Sequence, residues 1–196
     1  TYLRYLFIYY NSKITDEELK NANVPLINYL KEMVKSHEEI IIIDYNYDIW
    51  LERLLNINKI TFNIEGFEKK RKAKIKLIKP HGSISFSFKF KVSGPFTIRN
   101  LEFDDLTQDT KKFNVKYDLD TDYPIVNAII PPAGDSNRYN MGWIKDLRNC
   151  IEEKLKLSGN KDILKIFGIS YWHVDRNEID DILTKINSQV EVFLIN

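Results

Sequence analysis

The chain has 196 residues with 29 Lys plus Arg against 28 Asp plus Glu, so no net electrostatic pull toward nucleic acid or a membrane surface follows from its charge. A hydrophobic content of 43% with 13% aromatics is enough for a packed core and excludes a disordered chain. Its one cysteine, Cys150, excludes an intrachain disulfide and a Cys-rich zinc ribbon and points to a reducing, cytoplasmic setting.

Residues 1–12 read as a helix or strand begun upstream, apolar but too short and Tyr-rich for a signal peptide. Thr15-Asp16-Glu17-Glu18 has the spacing of a capping box and predicts a short helix. Val24-Pro25 opens another, and Leu26, Ile27, Leu30, Met33 and Val34 recur at helical spacing to about Lys35. Residues 39–44 are apolar on both faces, as in a strand buried in a parallel sheet. A helix from Tyr47 to Leu55 turns Ile49, Trp50, Leu54 and Leu55 inward, and strands follow at Lys59–Ile64 and Lys74–Lys79. Ile84–Val92 alternates with one wet face, Ser93-Gly94-Pro95 turns, and Phe96–Phe103 returns antiparallel. Residues 104–122 are polar and acidic and read as a loop. Pro124–Ile130 is a buried strand stopped by Pro131-Pro132, and Tyr139–Leu157 is the longest helix, ended by Ser158-Gly159-Asn160. A strand at Ile163–Phe167, a helix at Glu178–Asn187 and a strand at Val190–Ile195 complete the chain. The alternation predicts one α/β domain over 1–196, a three-layer parallel sheet with an antiparallel β-hairpin insertion within 84–122.

Three of the apolar strands run into polar clusters. One precedes Asp44-Tyr45-Asn46-Tyr47-Asp48, one His81-Gly82-Ser83, and one Gly168-Ile169-Ser170. As parallel strands of one sheet, all three would open at the carboxyl edge, where such sheets bind ligands. Each cluster also has a structural reading. Asn46 and Asp48 suit the cap of a following helix, or an amide that donates and accepts toward a ligand. His81 suits a turn, or a general base beside a glycine that lets the backbone approach a ligand. Gly168 suits an ordinary βα turn or close approach to a phosphate or ribose, and Asp175 a cap or a ribose contact. His37 and His173 have weaker claims than His81. The basic run Lys69-Lys70-Arg71-Lys72 reads as a solvated edge, so direct nucleic-acid binding is not expected. Walker-type loops, paired metal-spaced histidines and a nucleophile elbow are absent from the sequence.

These clusters resemble, in order and approximate spacing, the Thr-x-Asn-Tyr-Asp, Lys-Leu-His-Gly-Ser and Gly-Tyr-Ser-x-x-Asp elements of sirtuin-like proteins, over roughly residues 38–196. The resemblance implies a Rossmann-like fold that binds NAD as substrate and, in the bacterial anti-phage defence branch, hydrolyses its nicotinamide–ribose bond. The deacylating branch carries a four-Cys zinc module that one cysteine cannot supply, so no metal is expected. On this reading Asn46 orients water or ribose hydroxyls and His81 is the base. Asp48 fixes the Asn46 loop, and Gly82, Ser83, Gly168, Ser170 and Asp175 line the NAD site. The chain departs from the pattern at Asp44, where Thr is usual, and in having no Gly-Ala-Gly-x-Ser loop. That loop belongs before residue 1, so the expectation is a piece of a longer protein, acting with other domains or subunits of a defence complex and as a homo-oligomer. The alternatives are a non-catalytic module sensing NAD or ADP-ribose, and an assembly role for the hairpin at 84–103.

Overall fold

The computed structural model describes residues 2–67, 72–89, 109–119, 127–130, 141–168 and 176–195. The chain is a mixed α/β protein. Three helices lead: α1 (Tyr2–Ser12), α2 (Asp16–Asn21) and α3 (Pro25–Ser36). The capping box at Thr15 forms as the spacing predicts. The Thr15 hydroxyl accepts from the Glu18 N–H at 3.1 Å, and the Thr15 N–H donates to the Glu18 carboxylate at 2.8 Å.

Then come β1 (Ile40–Ile43), α4 (Trp50–Ile57), β2 (Phe62–Ile64) and β3 (Ile75–Ile78). They build a sheet ordered β1-β3-β2, parallel throughout, with Ile40 opposite Ile75 and Ile43 opposite Ile78. Ile75, Leu77 and Ile78 are fully buried, as a central parallel strand covered on both faces requires. Because β1 and β3 are parallel neighbours, the residues after Ile43 and after Ile78 leave the sheet on the same edge.

The rest of the chain departs from a single parallel sheet. The strand β4 (Gly82–Phe88) lies between β5 (Phe113–Val115) and β6 (Asn127–Ile129), both antiparallel to it. The strand read at Pro124–Ile130 therefore pairs antiparallel to β4. The strand β5 falls in a stretch read as loop; three residues, of which only Phe113 is buried, leave no periodicity to detect. Nor does β4 have a wet face: Ser83, Ser85 and Ser87 are all fully buried. The hydroxyls of Ser83 and Ser85 lie 2.9 Å apart, so polarity in the sequence is absorbed by hydrogen bonding rather than solvent. The predicted return strand at 96–103 lies outside the described residues.

A long helix α5 (Gly142–Leu157) follows, then β7 (Ile163–Phe167), α6 (Arg176–Lys185) and β8 (Glu191–Ile195). Trp143, Ile144 and Leu147 of α5 enter one core with Leu55, Ile75, Leu77 and Phe86. The strands β7 and β8 pair parallel with each other in a separate two-stranded ribbon. The three polar clusters are thus not ends of one hydrogen-bonded sheet: those after β1 and β3 share an edge, and Gly168 follows β7 in the ribbon. No helix among the described residues is long and apolar enough to cross a membrane.

Gly82 holds the junction between the two larger sheets. Its φ is +86°, and a Cβ there would stand 1.9 Å from the Ala128 carbonyl oxygen. A methyl group thus meets both backbone strain and the backbone of β6. Gly82→Ala is expected to destabilise the fold by about 3 kcal/mol or more, read as a lower urea midpoint.

Candidate functional site

At the carboxyl end of β3 the chain places a lysine where an apolar residue would be expected. Lys79 is fully buried. Its ammonium lies 3.0 Å from Asp44 Oδ2 and 3.3 Å from Glu52 Oε1, and it donates to the Asp48 carbonyl at 2.5 Å. A buried ammonium is tolerable only with such partners. Burial works to lower the Lys79 pKa, but the Glu52 and Asp44 carboxylates outweigh it and the net shift is upward. Glu52 is fully buried too, and desolvation pushes its pKa up to about 7, with the Lys79 charge only partly opposing. The two carboxylates are not equivalent. Asp44 Oδ2 accepts from the ammonium at 3.0 Å, whereas Glu52 accepts only a long bond, 3.5 Å to Oε2, and its Oε1 accepts none. With its pKa raised by burial to about 7, Glu52 takes up and releases a proton near neutrality.

This cluster shapes the loop after β1. Asp44 Oδ1 accepts from both the backbone N–H and the side-chain amide of Asn46, each at 3.0 Å. Asp48 Oδ1 accepts from the Trp50 N–H at 2.9 Å, one residue ahead of the N-cap Ile49 of α4, which starts at Trp50 rather than Tyr47. Asp48 thus fixes the loop through both its carbonyl and its carboxylate. Asn46 itself is exposed, with its amide turned back onto Asp44.

His81 lies beside that loop. Its ring meets Tyr45 edge-on at 4.8 Å between centroids and stacks on Tyr47 at 6.4 Å. The Tyr47 hydroxyl donates to the Ile130 carbonyl at 2.6 Å, which fixes one wall. From α6, Glu178 Oε1 stands 3.1 Å from His81 Nε2, and both side chains are nearly buried, 12% and 11% exposed. A cavity of about 40 Å³ opens here, lined by Tyr45, Pro80, His81, Arg148, Glu152 and Glu178 among others. It has room for a few water molecules and falls well below the roughly 300–1,000 Å³ of a small-molecule pocket. Asn46 does not line it. The structure therefore brings together the Asp44–Asp48 loop and His81, while the Asn46 amide and the imidazole do not face one cavity.

Of the other predicted positions, Gly82 serves the close approach to β6 described above. Ser83 is buried, its hydroxyl engaged by Ser85 and, at 3.4 Å, by the Tyr47 carbonyl. Gly168 has φ +68° with open space around it. Ser170, Asp175 and His173 lie outside the described residues. A larger cavity of about 280 Å³ lies between α1, α4 and the segment after β5, and shares no lining residue with the first. Its Arg53 guanidinium is committed to Asp16, to Asn11 and to the Ile14 carbonyl.

Sequence reasoning missed Lys79, Glu52 and Glu178. Glu52 falls three residues from both Ile49 and Leu55 on the inward stripe of α4, and Glu178 four residues before the buried Ile182 on α6. A carboxylate on an apolar stripe was the available signal.

Removing the cation leaves two carboxylates buried around an apolar tip. Lys79→Met is expected to cost about 3–5 kcal/mol in denaturant unfolding. Glu52 gives a pH signature. Its folded pKa of about 7 exceeds the ordinary 4.5, so the native state binds more protons between those values. Its stability contribution is fully present below about pH 4.5 and is lost as pH rises through 7, about 3 kcal/mol in all. Glu52→Gln is expected to flatten that slope in urea midpoints taken across the range. Against this geometry, no family model matches the chain and no curated protein matches it.

Proposed function

We propose that the chain is an NAD glycohydrolase of sirtuin-like, Rossmann-like type that cleaves the nicotinamide–ribose bond, with His81 as the general base. The observation that carries this reading is the position of His81. It follows the central strand β3, beside the loop after β1, and its imidazole lies within hydrogen-bond reach of Glu178 over a water-sized cavity. Such a group can take a proton from an attacking water.

The charge of the wall suits the reaction. The cavity lining carries Glu152, Glu178 and Asp181 against Arg148 and Lys185, an excess of one carboxylate that favours a developing oxocarbenium ion. The dinucleotide needs a larger groove than the described residues enclose, so they supply the water end of the site. Asn46 lies between Tyr45 and Tyr47 in sequence and outside the cavity lining, and its amide would have to leave Asp44 Oδ1 to take ribose hydroxyls. In the cell the reaction would deplete NAD as the effector of a bacterial anti-phage defence system, in assemblies with itself and with partner subunits.

A second reading, a nucleotide-sensing module without catalysis, is favoured by one feature. The Asn46 amide is engaged by Asp44 and lies outside the His81 cavity. Incubation with NAD separates the two. Nicotinamide release by the wild type, reduced about 10²–10⁴-fold by His81→Ala, supports hydrolysis. Calorimetric binding of NAD or ADP-ribose with the NAD recovered intact supports sensing, and full activity of His81→Ala overturns the assignment of the base.

A further inference from the structure

We infer that Glu178 is a positioning residue that holds His81 as the Nε2–H tautomer and leaves Nδ1 as the nitrogen that accepts the proton. The inference rests on the catalytic reading of His81 given above. A neutral imidazole carries one proton, and a carboxylate can only accept; the nitrogen facing it therefore bears the hydrogen. Glu178 Oε1 faces Nε2 at 3.1 Å. His81 Nδ1 has no hydrogen-bond partner among the described residues, so its lone pair is available.

Three features keep the ring in that pose. Tyr45 meets its edge and Tyr47 its face, which restricts rotation. The backbone is pinned on both sides, with the His81 carbonyl accepting from the Ile130 N–H at 3.0 Å and the Gly82 N–H donating to the Lys79 carbonyl at 2.9 Å. Glu178 also sits in the first turn of α6, where the helix N-terminus favours the ionised carboxylate. Nothing in the motifs around His81 marks Glu178, which is 97 residues away along the chain.

The step balances as follows. Water oxygen bonds to the ribose carbon, the carbon–nitrogen bond breaks with its electron pair leaving on nicotinamide, and the water proton passes to Nδ1. The imidazolium so formed keeps its Nε2–H on Glu178, which stabilises the new charge.

Nitrogen-15 spectra of the histidine rings read the tautomer without any substrate, with the His81 signals assigned by their loss in His81→Ala. The expected result is a protonated Nε2 and an unprotonated Nδ1 in the wild type. Glu178→Ala is expected to move a large share of the population to the other tautomer. It should also lower kcat for nicotinamide release on the order of 10²-fold with KM little changed. Should Glu178→Ala fail to fold, Glu178→Leu, which fills the space but has no oxygen to accept from Nε2, is read instead. A wild-type ring protonated on Nδ1, or a tautomer ratio indifferent to the substitution, overturns the inference. Absence of nicotinamide release from a wild type with the expected tautomer supports the placement of the proton and overturns the catalytic reading alone.

Discussion

One buried ammonium organises the carboxyl edge of the parallel sheet. Lys79 reaches Asp44, Glu52 and the Asp48 carbonyl from three directions, and each contact fixes a different part of the surroundings. Through Asp44 it sets the turn that holds Asn46; through Asp48 it sets the start of α4; through Glu52 it ties that helix to the sheet. A hydrophobic residue of similar volume could fill the same space, and replacing a whole buried charge cluster by apolar groups often costs little stability. What such a replacement would lose is the shape of the loop beside His81.

The parallel sheet was legible because β1 is an unbroken run of isoleucine and β3 is isoleucine and leucine apart from Lys76, and Thr15 and Pro25 mark helix starts by side-chain chemistry alone. The wider architecture was not. The alternation in β4 has the period of a half-exposed strand, yet its serines are buried and bonded, so hydrophobicity misread which face was wet. The three-residue β5 owes its existence to pairing with β4 rather than to any pattern of its own, whereas β6 falls within the strand read at Pro124–Ile130 and only its antiparallel pairing was missed. At the site, His81 was legible from the strand that precedes it, whereas its partner Glu178 comes from a helix whose docking no local spacing reports.

The same edge shows two uses of glycine and acid residues that sequence cannot distinguish. Gly82 follows the imidazole as a ligand-approach glycine would, but the object approached is the backbone of β6. Asp48 sits where a ribose contact or a helix cap is equally natural, and its carboxylate binds the first N–H of α4 from the residue before the N-cap. Such residues position the imidazole without themselves facing the cavity.

The β7–β8 ribbon, whose two strands flank α6 and its Glu178 in sequence, is poorly covered. Every residue of β8 is exposed, Leu194 at 74%, and both ends of β7 are open to solvent. Segments with so little burial open at a small fraction of the free energy needed to unfold a protein, and their amides exchange with solvent accordingly. The carboxylate that orients the imidazole is thus flanked in sequence by two exposed strands, while the imidazole sits in the turn between the buried strands β3 and β4. The grip on the ring therefore depends on α6 staying docked through Ile179 and Ile182 while the strands on either side of it open.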